Sequence, residues 1–166
     1  MVTSLLRYRS DLRAAHDRLA VLPTRTVILP AGPVEYLDDG EGPVVLLVHG
    51  IFGGHDAALR LAEPSVLAGR RRLAPSRFGY LGTVMPAQAT VALQADTHAA
   101  LLDAQGIDRA AVLAGSAGTT SALALAVRHP DRVAGLACSP PTRPASSTTP
   151  TPSQAGRRGA CGPRIR

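Results

Sequence analysis

Between residues 24 and 139, short apolar runs alternate with segments in which apolar residues recur every three or four positions. RTVILP and PVEYLDD are β-rich runs separated by the turn signal Ala31-Gly32-Pro33, which predicts an opening hairpin. Val44 to Val48, inside GEGPVVLLVHG, are apolar without alternation, the signature of a strand buried on both faces of a parallel sheet. A helix is predicted after it from about Asp56 to Leu67, starting at an Asp cap and ending near Gly69. RRLAPS reads as a weaker strand. From Ala87 to Gln105 apolar residues fall at 92, 95, 99 and 102, a helical spacing stopped by Gly106. RAAVLA is the next strand, Ser116 to His129 the next helix, halted by Pro130, and RVAGLACS the last strand. Strands alternating with helices of this length imply crossover units. The fold class is α/β, with a mostly parallel sheet and antiparallel strands at the front.

The segments before and after this region break the rhythm. Residues 1–25 contain MVTSLLRYRSDLRAAHDRLAVL, which mixes Arg with Leu and Ala and reads as an amphipathic helix leading into the domain. It lacks the unbroken apolar stretch of a secretory signal, and Asp11 and Asp17 interrupt the basic face a transit peptide needs. The longest apolar run, VVLLVHGIF, falls far short of the roughly 20 residues of a membrane span. Residues 140–166 are rich in Pro, Ser, Thr and Arg, hold no acid and show no apolar periodicity, so they are expected to be disordered. The domain itself spans residues 26–139.

Charge sharpens this division. The formal net charge is +6, yet residues 1–138 hold thirteen Arg against all twelve acids, while the last twenty-eight hold five Arg and none. The basicity belongs to the tail. With no basic stripe on the folded part and aromatics limited to Phe52, Phe78, Tyr8, Tyr36 and Tyr80, nucleic acid is not an expected partner, and neither is a membrane. All eighteen basic residues are Arg, which excludes the lysine of a Walker-A loop or of a Schiff base. Cys138 and Cys161 have no metal-site spacing, and a reducing cytoplasmic setting is the default. No metal or cofactor is expected.

The candidate chemistry lies in AGSAG, Ala114 to Gly118, where a Ser sits between a strand and a helix with small residues on both flanks. A sharp strand-to-helix turn strains the Ser backbone and crowds its neighbours, so only small residues fit two positions either side. Ala114 stands in for the first Gly of G-x-S-x-G. The competing reading is that Ser116 merely caps the following helix, since Ser is a favoured N-cap. HGIFGGHDA, which follows the buried strand, supplies a second piece: Gly50, Gly53 and Gly54 let its backbone approach closely. A dinucleotide loop is the competing reading there, but the glycine spacing does not fit G-x-G-x-x-G. His49 reads as structural rather than as a base, and His55 and His98 as solvated or core residues.

With these pieces in place, the chain resembles the N-terminal part of the α/β-hydrolase-fold superfamily, of the esterase and C–C hydrolase type. The resemblance rests on EYLDDGEGPVVLLVHGIFGG, APSRFGYLGT, QADTHAALLDAQGI, the elbow LAGSAG and RHPDRV, and covers roughly Thr26 to Ser139. It implies Ser116 as nucleophile, backbone N–H donors from Ile51 or Phe52 and from Ala117 as the oxyanion hole, and a small ester-like substrate. Two departures stand out in SRFGYLGT, where many relatives carry D-x-x-G-x-G-x-S: Ser76 replaces the Asp and Leu81 the second Gly.

A third departure is larger. The family's order is Ser, then acid, then His, yet after Ser116 the chain holds only His129 and Asp131. A helix from Ser116 to His129 would carry them ~20 Å away at 1.5 Å per residue. The expectation is an incomplete α/β-hydrolase fold, with strands seven and eight missing and the acid and base absent or supplied by another chain. An unrelated peptide, translated out of frame from GC-rich DNA, would give the composition seen beyond Ser139; a genuine basic tail is the alternative. Two function classes remain, an ester-type serine hydrolase of low activity and a catalytically silent binding fragment. The strand Val133 to Cys138 would form an uncovered apolar edge, through which a homodimer is expected.

Overall fold

The structure, a computed structural model, describes residues 2–139, so the segment assigned to 140–166 lies outside the described residues. A 19-residue helix, α1 (Val2–Ala20), precedes the sheet. β1 (Thr24–Leu29) and β2 (Gly32–Asp39) form the antiparallel hairpin, with Leu29 opposite Gly32 at the turn. Gly32 takes φ +114°, a conformation that favours glycine. β2 then pairs antiparallel with β4 (Arg71–Pro75). From there the sheet is parallel: β4 to β3 (Val44–Val48), β3 to β5 (Ala110–Gly115), and β5 to β6 (Val133–Ser139). The spatial order is β1-β2-β4-β3-β5-β6, a mixed sheet whose antiparallel strands lie at one end.

Residues of β3, β4 and β5 alternate between two apolar layers, which is why their sequences are apolar without interruption. Leu46, Val48, Leu73, Val112 and Ala114 face α3 (Val91–Ala104) and α4 (Gly118–Arg128), meeting Leu101, Leu102, Ala122 and Leu125. Leu47 and Ala74 face the other way, where they pack with Leu37, Ala58 and Leu67. α3 and α4 are also joined at the surface: Asp96 accepts from Arg128 Nε at 2.9 Å and lies 2.7 Å from His129 Nε2. The Arg128 guanidinium, with His129, holds the Asp96 carboxyl down at about 2.

The helix expected from Asp56 to Leu67 is much shorter. α2 covers only His55–Ala58, and the chain then runs through turns to β4. Pro64 bars a helix from running through to Leu67, since it has no N–H to donate and disfavours helical backbone at Glu63 before it. α3 begins at Val91 rather than near Ala87 because Thr90 caps it, its hydroxyl accepting from Leu93 N at 3.0 Å.

β6 lies at the edge of the sheet among the described residues, and one of its faces has no helix over it. Val66, Ala111, Leu113 and Ala137 line an apolar groove of about 410 Å³ there. Among the described residues no helix is long and apolar enough to cross a membrane.

Candidate active site

β5 ends at Gly115 and α4 starts at Gly118, leaving Ser116 and Ala117 to make the turn. Ser116 is exposed and takes φ 48°, in the left-handed region that non-glycine residues avoid. A residue held there stores of order 1–3 kcal/mol of strain and persists only where its surroundings enforce it. The capping alternative fails: Ala117 occupies the N-cap position, and no side chain caps this helix.

The surroundings that enforce the turn belong to β3. A methyl group at Gly118 would meet the carbonyl oxygen of Val48 at 2.5 Å and collide with that of His49, so α4 can start here only on glycine. Unlike a flexible side chain, those carbonyls cannot rotate away. Gly118→Ala is therefore expected to cost about 1–3 kcal/mol of stability through overpacking. Gly135→Ala in β6 meets nothing within 4 Å and should be neutral. Thermal unfolding of both variants checks this, and equal melting temperatures would refute it.

The loop after β3 reaches Ser116 directly. A Cβ on Gly50 would lie 3.2 Å from Ser116 Cβ and 3.8 Å from its Oγ, so the backbone of this loop forms one wall of the turn. Among the described residues the N–H groups of Ile51, Phe52 and Ala117 donate to no protein acceptor. Ile51 and Phe52 are exposed, and Ile51 O accepts from Tyr80 Oη at 3.1 Å.

His49 holds this loop in place. Its Nε2 accepts from Arg77 N at 2.8 Å, which puts the proton on Nδ1, 2.8 Å from the Gly50 carbonyl to which it donates. Both ring nitrogens are occupied and the residue is fully buried. Burial pushes its pKa down to about 4, with the Arg77 charge acting in the same direction, so the ring is neutral. Arg77 Nη1 reaches Gly50 O at 3.3 Å, and its guanidinium lies 5.9 Å from the Tyr80 ring centroid.

The two sequence departures in SRFGYLGT have visible consequences. Ser76 is buried and its hydroxyl accepts from His55 N at 3.3 Å. The loop is tied instead by Glu35 of β2, whose carboxylate accepts from Gly82 N at 2.5 Å while Glu35 N donates to Thr83 Oγ1 at 2.9 Å. Gln94 of α3 adds a bond from Phe78 N at 2.8 Å. Leu81 takes φ 48°, a left-handed backbone that the Gly expected there from the resemblance would adopt at less cost. Neither Glu35 nor Gln94 stood out in the sequence. The available signal was that Glu35 sits two residues before buried Leu37, on the same inward face of a strand.

No other histidine completes the turn. His98 is buried on α3, 3.4 Å from Ser121 Oγ in the first turn of α4. Burial, then Arg77 and His49, push its pKa to about 3. His55 is buried behind the loop, 3.6 Å from Glu35 Oε1, with neither ring nitrogen hydrogen-bonded. His129 is held by Asp96 beyond the far end of α4, whose eleven residues span about 16 Å. Asp131 follows it in a 3-10 turn, Pro130–Arg132. Among the described residues no group of His, Cys, Asp or Glu is arranged to hold a metal ion.

A strand-turn-helix elbow set on a parallel sheet, walled by the loop of a neighbouring strand, defines an enzyme-like α/β architecture. The family model described as the alpha/beta hydrolase fold matches residues 43–158, and the chain belongs to that family. Over 103 residues it is 37% identical to a 2-hydroxymuconate semialdehyde hydrolase of Pseudomonas sp. (strain CF600), covering 60% of this chain and 36% of that protein. An alpha/beta hydrolase fold protein from Nakamurella multipartita superposes with a TM-score of 0.65 at 44% identity, covering 69% of this chain and 40% of that one. An epoxide hydrolase from Vigna radiata gives 0.64 at 26% identity, covering 75% and 42%. The chain thus spans well under half the length of these relatives.

Proposed function

We propose that Ser116 is the nucleophile of an ester-type acyl-transfer site on small-molecule substrates, with the N–H groups of Ala117 and of Ile51 or Phe52 as the oxyanion donors. The observation that carries this reading is the left-handed backbone of exposed Ser116, wedged against Gly50 between β5 and α4. Ser116 Oγ would attack the substrate carbonyl carbon, its proton passing to a base, while the carbonyl oxygen takes up negative charge facing donors that no protein group occupies. The family's epoxide and C–C hydrolase members agree with hydrolysis as the general chemistry.

Among the described residues no histidine is placed to serve as that base. His49 has both nitrogens engaged, His98 and His129 pair with Ser121 and Asp96, and His55 is buried beside Glu35 behind the loop. The reading is therefore a hydrolase by family whose 166 residues carry the nucleophile and oxyanion half of the site and act weakly on their own. The same observation supports a second reading, a catalytically silent binding fragment. Labelling of Ser116 by a fluorophosphonate, argued in the Discussion, separates the two.

For the partner, we propose self-association through β6. Its outer edge has no strand beside it among the described residues, and its face toward Ala111 and Leu113 lines the uncovered groove. Size-exclusion chromatography is expected to show assemblies or poor solubility, relieved by Ala137→Lys, which places a charge on that exposed face. A wild-type monomer over a wide concentration range would overturn this.

A further inference from the structure

α1 is a long helix with little to lean on. Isolated helices of its length are marginal in water, and tertiary packing of an apolar face normally supplies the difference. Here Leu5, Leu6, Tyr8 and Leu12 are all exposed, and among the described side chains of α1 only Ala15 and Leu19 are partly covered. Even these do not seat fully: a groove of about 370 Å³, lined by Ala15, Leu19, Leu22, Asp56, Leu59 and Arg60, remains between the end of α1 and the segment around α2.

The exposed positions are not scattered. Leu5, Tyr8, Leu12, Ala15 and Leu19 follow one another at spacings of three, four, three and four, which lines them along one seam. Asp11 and Arg18 flank one side of that seam, Arg9 and His16 the other. Two copies laid antiparallel with Leu12 opposite Ala15 also set Tyr8 opposite Leu19, so each layer pairs a large residue with a smaller or more flexible one. In that register Asp11 of each copy falls beside Arg18 of the other, giving two opposite-charge pairs by symmetry. The partner's Tyr8 ring would then enter the groove beside Leu19. A parallel pair stacks Ala15 on Ala15, leaving a gap, and puts Asp11 beside His16 instead of Arg18.

We propose that α1 is a self-association surface that docks α1 of a second copy of this chain in antiparallel orientation. An anionic membrane is the other surface an Arg-bearing amphipathic helix would fit. The Asp11 carboxylate at the edge of the seam disfavours it, because it would face the headgroups, whereas in the antiparallel pair it faces a guanidinium.

This surface is separate from β6, and two self-complementary surfaces on one chain would build open arrays. The decisive measurement is therefore light-scattering mass in the Ala137→Lys background. That protein is expected to be a dimer, and adding Leu12→Asp should make it a monomer that keeps the cooperative thermal unfolding of the sheet domain while α1, without its partner, loses helicity. Asp11→Arg or Arg18→Asp alone should weaken the dimer about tenfold through loss of two surface ion pairs, and the two reversals together should restore it. A monomer for Ala137→Lys, a dimer that survives Leu12→Asp, or no rescue by the double reversal would each overturn the proposal. So would a chain that is monomeric in solution and binds phosphatidylserine vesicles through α1.

Discussion

Purified protein is expected to hydrolyse a short p-nitrophenyl ester at a barely detectable rate, and a fluorophosphonate probe is expected to label Ser116 slowly or not at all. A serine hydroxyl is a weak nucleophile until a positioned base takes its proton. The members of a triad act as a unit, so the loss of the base removes most of the acceleration even where the oxyanion donors remain. What persists in serine hydrolases stripped of the triad is ~10³- to 10⁴-fold over water. Among the described residues the N–H groups of Ile51, Phe52 and Ala117, proposed above as the oxyanion donors, donate to no protein acceptor, but His49, at the start of the loop that walls the turn, accepts from Arg77 N and donates to Gly50 O. Ser116→Ala is the control for labelling, and it should change the small remaining turnover little, because what persists comes from the oxyanion donors and binding rather than from the serine. Rapid labelling of the wild type that Ser116→Ala abolishes would mean that a base reaches Ser116 after all, and the claim of a half-site would be wrong.

Much of this arrangement was legible in the sequence because it is enforced by local chemistry. The apolar run Val44 to Val48 can be buried only on both faces, and it lies between two parallel strands. AGSAG reads as an elbow because its small residues have a backbone reason, visible in the contact of Gly118 with the β3 carbonyls. What the sequence did not reveal is long-range and polar. The bond from Arg77 N to His49 spans 28 residues, and that from Gly82 N to Glu35 spans 47. No periodicity encodes such pairs, since nothing in either residue's local sequence says which distant group it will meet. The misjudged helix after Asp56 shows the opposite failure: an Asp cap and a Gly stop marked out a helix, and the chain between them turns away after Ala58 and meets Pro64. The exposed length of α1 was equally hidden, because amphipathicity tells that a face will be covered without telling by what.

Acid should unfold this protein well before its carboxylates protonate. His49 and His98 are buried neutral, with pKa values lowered from 6.5 to about 4 and about 3. In the unfolded chain both titrate near 6.5, so below that pH the unfolded state binds protons that the folded state refuses. Stability is therefore intact above pH 6.5 and falls as pH drops toward the folded values. At 1.36 kcal/mol per pH unit for each ring, the loss by pH 4 is about 3 kcal/mol per histidine, a large share of a typical domain's 5–15 kcal/mol. The groups facing these rings do not offset it: Arg77 acts on His98 by adding positive charge, and the hydrogen bond to Gly50 O and the Asp56 carboxylate oppose the shift of His49 only in part. Asp96 and Asp38, whose pKa values are lowered by Arg128 and Arg71, lose their contribution only below about 4, so the window from 6.5 to 4 belongs to the histidines. Urea unfolding at a series of pH values across that window should show the decline, and His98→Leu should remove about half of it. That substitution leaves no orphaned partner, because Ser121 Oγ also donates to Gly118 O at 3.1 Å. An unfolding free energy that stays flat from pH 7 to 4 in the wild type would refute the buried neutral pair.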